Sequence, residues 1–73
     1  MTNINKLKAK IIERGHNVEW LAKVAGINKT TMYRRLNAGG GDFTLKEVAA
    51  IREALELTIE ETNLIFFADS VAK

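Results

Sequence analysis

Asn28, Lys29, Thr30, Tyr33, Arg34 and Asn37 are the side chains of this chain whose type and spacing can do chemistry. All six donate hydrogen bonds, and Lys29 and Arg34 add positive charge. At about 3.6 residues per turn, Lys29, Thr30, Tyr33 and Arg34 fall on one side of a helix. The planar fork of Arg34 can donate two bonds to a pair of neighbouring acceptors such as guanine O6 and N7. Lys29 can reach guanine or phosphate, and the Thr30 methyl can meet a thymine methyl. Tyr33 can touch a base edge or a phosphate through its hydroxyl, or pack over the helix end. Asn28 can cap the helix and also meet a phosphate. This is the chemistry of recognition. Bond cleavage has no comparable set: the chain holds one histidine, one serine and no cysteine, so no nucleophile, base and orienting group can be assembled. Glu60 and Glu61 are adjacent, point in different directions on a helix, and Glu61 has a capping role. No enzyme, metal site, cofactor or small-molecule substrate is expected.

The elements that position these residues lie within residues 18–37, VEWLAKVAGINKTTMYRRLN. Two short helical patterns flank Gly26, with Leu21, Ala25, Ile27, Met32 and Leu36 able to turn inward. Ala22 is small where two helices would cross closely. Gly26 can take the left-handed conformation that ends a helix without a β-carbon penalty. Asn17 can cap the first helix and Asn28 the second. A helix-turn-helix is built this way, its second helix offering a polar side to the DNA major groove.

The stretch resembles the DNA-binding helix-turn-helix of small phage repressors of the lambda repressor and Cro class. The resemblance implies a lambda-repressor-like domain with one helix before the pair and two after it, binding double-stranded operator DNA through helix 3. Asn28, Lys29, Thr30, Tyr33, Arg34 and Asn37 would then face DNA. Two positions depart from the pattern. Val18 stands where a phosphate-touching glutamine is common, so Asn17 and the free amides of helix 2 are expected to substitute. Arg35 stands where an apolar residue is usual, with Leu36 as the anchor. Arg35 and Asn37, near the end of helix 3, are placed for phosphate contact.

The rest of the chain reads as helix throughout, giving an all-α fold of five helices in one domain over residues 1–73. Helix 1 is expected over about Ile4 to Arg14, with Ile4, Leu7 and Ile11 on one face and Gly15 as its stop. Helix 2, capped by Asn17, runs to Ala25, and helix 3 runs from about Lys29 to Asn37. Ala38-Gly39-Gly40-Gly41 reads as a link. Thr44 with Glu47 makes a capping box for helix 4, with Phe43 stapled onto Val48. Its buried stripe is expected to be Leu45, Val48, Ile51, Ala54 and Leu55. Thr58 with Glu61 repeats the box for helix 5, expected to last to about Ser70.

Charge divides the chain. Residues 1–38 hold eight lysines and arginines against two glutamates, whereas residues 39–73 hold three against seven acids. A basic half fused to an acidic half suits one face for a polyanion. With 73 residues the chain sits near the lower limit for a self-stabilising core. No apolar run is long enough to span a bilayer and none follows the N-terminal lysines, so a cytoplasmic protein without a signal peptide is expected.

Apolar residues exceed what such a core needs. Trp20 and Val24 form a second stripe on helix 2, and Leu64, Ile65, Phe66 and Phe67 run consecutively around helix 5. Either helix 5 packs across Trp20 and closes the core, or Trp20, Val24, Phe66 and Phe67 meet a partner. That partner would be a second copy on DNA, as a homodimer, or another repressor protein. Of the two phenylalanines, Phe67 is expected in the core. Two functions stay open: a Cro-like regulator that binds operator DNA, and a small modulator or antirepressor that binds another repressor.

Overall fold

The first turn of every helix is set by a side chain that stands just before it. In a computed structural model of the chain, which describes residues 2–37 and 43–67, five helices follow in the order α1 (Ile4–Glu13), α2 (Val18–Ala25), α3 (Lys29–Asn37), α4 (Leu45–Leu55) and α5 (Ile59–Phe66). Among the described residues there is no strand, and no helix is long and apolar enough to cross a membrane. Asn3 Oδ1 accepts from the Lys6 amide at 3.0 Å to start α1, and Asn17 Oδ1 accepts from the Trp20 amide at 2.8 Å to start α2. Both capping boxes form: Thr44 Oγ1 accepts from the Glu47 amide while Glu47 Oε1 accepts from the Thr44 amide, and Thr58 and Glu61 do the same.

Three helices stop alike. Gly15, Gly26 and Glu56 each take a positive φ, of 81°, 72° and 53°. The following amide then reaches back five residues: His16 to Ile11, Ile27 to Ala22 and Leu57 to Arg52, at 2.9–3.0 Å. A β-carbon on Gly15 or Gly26 would meet nothing within 4 Å, so backbone conformation alone selects glycine there. Glu56 has no such freedom and adopts the left-handed region under strain. Arg14 crosses from α1 to steady it, Nε donating to the Leu55 carbonyl at 2.9 Å and Nη2 to that of Glu56 at 3.4 Å.

α2 forms the middle of the domain, packed against α1, α3 and α4, while α5 packs on α1. Leu7, Ile11, Leu21, Met32, Ile51 and Leu55 are fully buried, joined by Ala22, Ile27, Leu36, Val48, Leu57, Ile65 and Phe66. The small side chain of Ala22 is buried in this core.

Several expectations need correction. Leu45 is 77% exposed, not buried. The α4 stripe centres on Val48, Ile51 and Leu55, and Leu45 lies about 90° from that centre in the first turn. α5 closes at Phe66 instead of continuing to Ser70, because Phe67 leaves the helical region at φ −127°, ψ 36°. The core phenylalanine is Phe66, 4% exposed, and Phe67 is half-buried. Thr62, Ile65 and Phe66 stand at i, i+3 and i+4 and share the buried face, which rotates Phe67 off it. Phe43 finds its ring partner in Phe66, edge to face with centroids 5.9 Å apart. The glycine link and the residues beyond Phe67 lie outside the described residues.

Candidate nucleic-acid interface

α3 divides cleanly by exposure. Thr31, Met32, Arg35 and Leu36 turn inward, while Lys29, Thr30, Tyr33, Arg34 and Asn37 are all exposed. At about 100° per residue the five outer positions span an arc of roughly 140°, with no inner residue interrupting it. Asn28 supports the start of this face. Its Oδ1 accepts from the Thr30 amide at 2.8 Å and the Thr31 amide at 3.4 Å. The cap therefore occupies the Asn28 oxygen and leaves its side-chain NH2 as a donor.

Arg34 and Arg35 have opposite fates. Arg34 is exposed and forms no ion pair among the described residues. Arg35 points to α4, where Nε meets Glu47 Oε1 at 3.0 Å and Nη2 donates to Oε2 at 3.1 Å. Both side chains are less than one-fifth exposed, at 19% and 18%. The expected phosphate contact of Arg35 is thus corrected: its guanidinium pairs with Glu47 and holds α3 on α4. Glu47 does double duty, since the same carboxylate caps α4 through the Thr44 amide. An arginine fills a slot where an apolar residue was expected, because a carboxylate across the core edge matches it.

The outer face also has an acidic neighbour. Glu19 Oε2, from the first turn of α2, lies 2.9 Å from Lys29 Nζ. Hydrogen bonding to Glu19, followed by its charge, holds the Lys29 ammonium above its ordinary pKa of 10.5. Asn17 is exposed beside it, its oxygen engaged in the α2 cap. Together these groups present cationic and neutral donors at the starts of α2 and α3, the combination that base edges and phosphates accept. Among the described residues, no three His, Cys, Asp or Glu side chains cluster to hold a metal ion.

Comparison with protein-family models, with curated proteins and with solved structures finds no match.

The four residues that the sequence offers either to the core or to a partner divide between the two. Phe66 is withdrawn into the core, and Phe67 and Trp20 are half-buried against it. Only Val24 is open, at 49% exposure. Trp20 is covered from outside by His16, whose ring stacks on the indole with centroids 3.4 Å apart and planes within 3°. His16 follows the Gly15 turn and stands four residues before Trp20, the spacing that brings the two rings together. Among the described residues, the large apolar side chains left most exposed are Leu45, Ile12 and Ile59, none of which the sequence singled out as a partner surface.

Away from this face, α1 and α5 are tied by Lys10. Its Nζ donates to Glu61 Oε2 at 2.8 Å and to Glu13 Oε2 at 3.2 Å, beside an open cleft of about 250 Å³ lined by Lys6, Ala9, Leu64 and Ile65. Glu61, which also caps α5, is held at a pKa of about 2, first by the Lys10 bond and then by the Thr58 amide.

Proposed function

We propose that this chain is a sequence-specific DNA-binding transcriptional regulator, a lambda-repressor-like helix-turn-helix domain of the Cro kind. In this reading α2 and α3 are the motif, and α3 enters the major groove of operator DNA. One observation carries it: the outer arc of α3 consists wholly of hydrogen-bond donors and is uninterrupted, while its inner arc is fastened to the body by Met32, Leu36 and the Arg35–Glu47 pair. A surface helix with no ligand needs no such uniform donor face; one that reads base edges does. Arg34 is the principal base reader, and Lys29 and Thr30 reach bases from the first turn. Tyr33, Asn37, Asn28 and Asn17 position the domain on phosphates. The basic charge of the first half of the chain supplies the salt-dependent attraction.

Selection of duplexes from a random pool by the purified chain tests this, with fluorescence anisotropy of the winners across a salt series. The reading requires an enriched sequence and an affinity that falls linearly in log–log with salt. A second reading, a modulator that binds another repressor, draws on exposed Ile12, Leu45 and Ile59. Tight binding to a repressor by a chain that selects no duplex would favour it.

A further inference from the structure

The Glu19–Lys29 ion pair places an acid against the one lysine of the donor face of α3. Both side chains are largely open to water, at 57% and 64% exposure. A solvent-exposed pair of this kind contributes little to folding, so stability does not account for it. An acid in the first turn of α2 suits that helix's dipole, which explains a carboxylate near residue 19 but not its reach across to α3. On a surface that must approach a polyanion, a carboxylate is costly unless it serves the encounter.

We propose that Glu19 is a positioning residue that sets DNA specificity by restraining Lys29, an inference that rests on the DNA-binding reading above. Held 2.9 Å from Glu19, the Lys29 ammonium is fixed beside the first turn of α2 instead of sweeping the surface on its four-carbon stem. On an arbitrary duplex, Lys29 reaches a phosphate only by leaving Glu19, and the released carboxylate then faces the DNA backbone. Non-specific binding thus loses a counterion-releasing contact. On the cognate site α3 sits deeper and Lys29 meets a base edge while still paired, so the restraint costs nothing there. Specificity is a difference of affinities, and weakening the wrong complexes raises it as surely as strengthening the right one.

The test is Glu19→Gln, Lys29→Gln and the double variant, with Glu13→Gln as a control for net charge. Glu13 is likewise an exposed acid paired to a lysine, but on α1. Each is titrated against the selected duplex and a scrambled duplex across a salt series. Glu19→Gln is expected to bind the scrambled duplex about threefold tighter or more, with a salt slope steeper by about 0.9, the signature of one further phosphate contact. Cognate affinity should change less than twofold, so the specificity ratio falls. In the Lys29→Gln background the effect of Glu19→Gln should vanish, and Glu13→Gln should do nothing. Equal gains from Glu19→Gln with and without Lys29, or from Glu13→Gln, would overturn the proposal by showing simple charge repulsion. Unchanged slope and ratio in Glu19→Gln, with wild type still selecting its duplex, would overturn it alone. Absence of duplex binding by wild type would overturn the DNA-binding reading and this inference with it.

Discussion

Arg34→Ala and Arg35→Ala, one residue apart on the same helix, should give opposite phenotypes. Arg35 makes one charge-assisted hydrogen bond to Glu47, Nη2 to Oε2 at 3.1 Å, and a second ion-pair contact, Nε to Oε1 at 3.0 Å, with both partners about four-fifths withdrawn from water. A bond of this kind contributes about 1.5–3 kcal/mol, and desolvation of the two charges offsets much of that. Truncating Arg35 removes both contacts and leaves the desolvation. The Glu47 carboxylate then stays half-buried with the Thr44 amide as its remaining partner. The expected loss is about 2–3 kcal/mol, below the 3–5 kcal/mol typical of fully buried pairs because the site is partly wet. For a domain of this size that lowers the melting temperature by about 10–20 °C. Arg34→Ala, at an exposed site, should stay within about 0.5 kcal/mol of wild type. Thermal and urea unfolding followed by circular dichroism measure both. Adding Glu47→Gln to Arg35→Ala should recover part of the loss, since glutamine keeps an acceptor for the Thr44 amide and strands no charge. If Arg35→Ala melts with Arg34→Ala, the reasoning about the inner arc of α3 is refuted.

Other perturbations probe the rest of the fold. Phe66→Ala should cost about 3–5 kcal/mol and Phe67→Ala clearly less, since only Phe66 lies in the core; equal losses in thermal melts would contradict that placement. Glu61 has a folded pKa of about 2 against an ordinary 4.5, so its contribution to stability is fully present above pH 4.5 and is lost as pH falls from there through about 2. Glu61→Gln should flatten the acid limb of the stability–pH curve, and an unchanged limb would argue against the Lys10–Glu61 tie. Glu56→Gly should stabilise the domain by about 0.5–1 kcal/mol by relieving the left-handed strain at φ 53°; a destabilised variant would mean that the glutamate side chain contributes more than its backbone costs.

Helix starts were legible in the chain because caps are local. Asn17, Asn28, Thr44 with Glu47 and Thr58 with Glu61 each act within three residues, and all formed. The outer face of α3 was legible for a related reason: a run of donors and a run of inward residues share one periodicity. What escaped depends on partners distant in sequence. Arg35 turns inward because Glu47, on another helix, pairs with it. Phe66 wins over Phe67 because Thr62, a polar residue, joins the buried face of α5 by donating its hydroxyl to the Thr58 carbonyl at 2.8 Å. Apolar runs do not say which of two adjacent rings a core will take. Likewise, a lysine on an open face does not announce that an acid ten positions earlier will meet it.

The measurement that bears most directly on the central claim is a binding comparison of wild type and Arg34→Ala on duplexes selected by the wild-type chain, scanned one base pair at a time. If α3 reads the major groove, selection yields a defined site, and Arg34→Ala binds it about 5- to 150-fold more weakly, the equivalent of about 1–3 kcal/mol, with preference relaxed at one G·C position. Selection of no sequence, or identical affinity and base preference in the two proteins, would contradict the account.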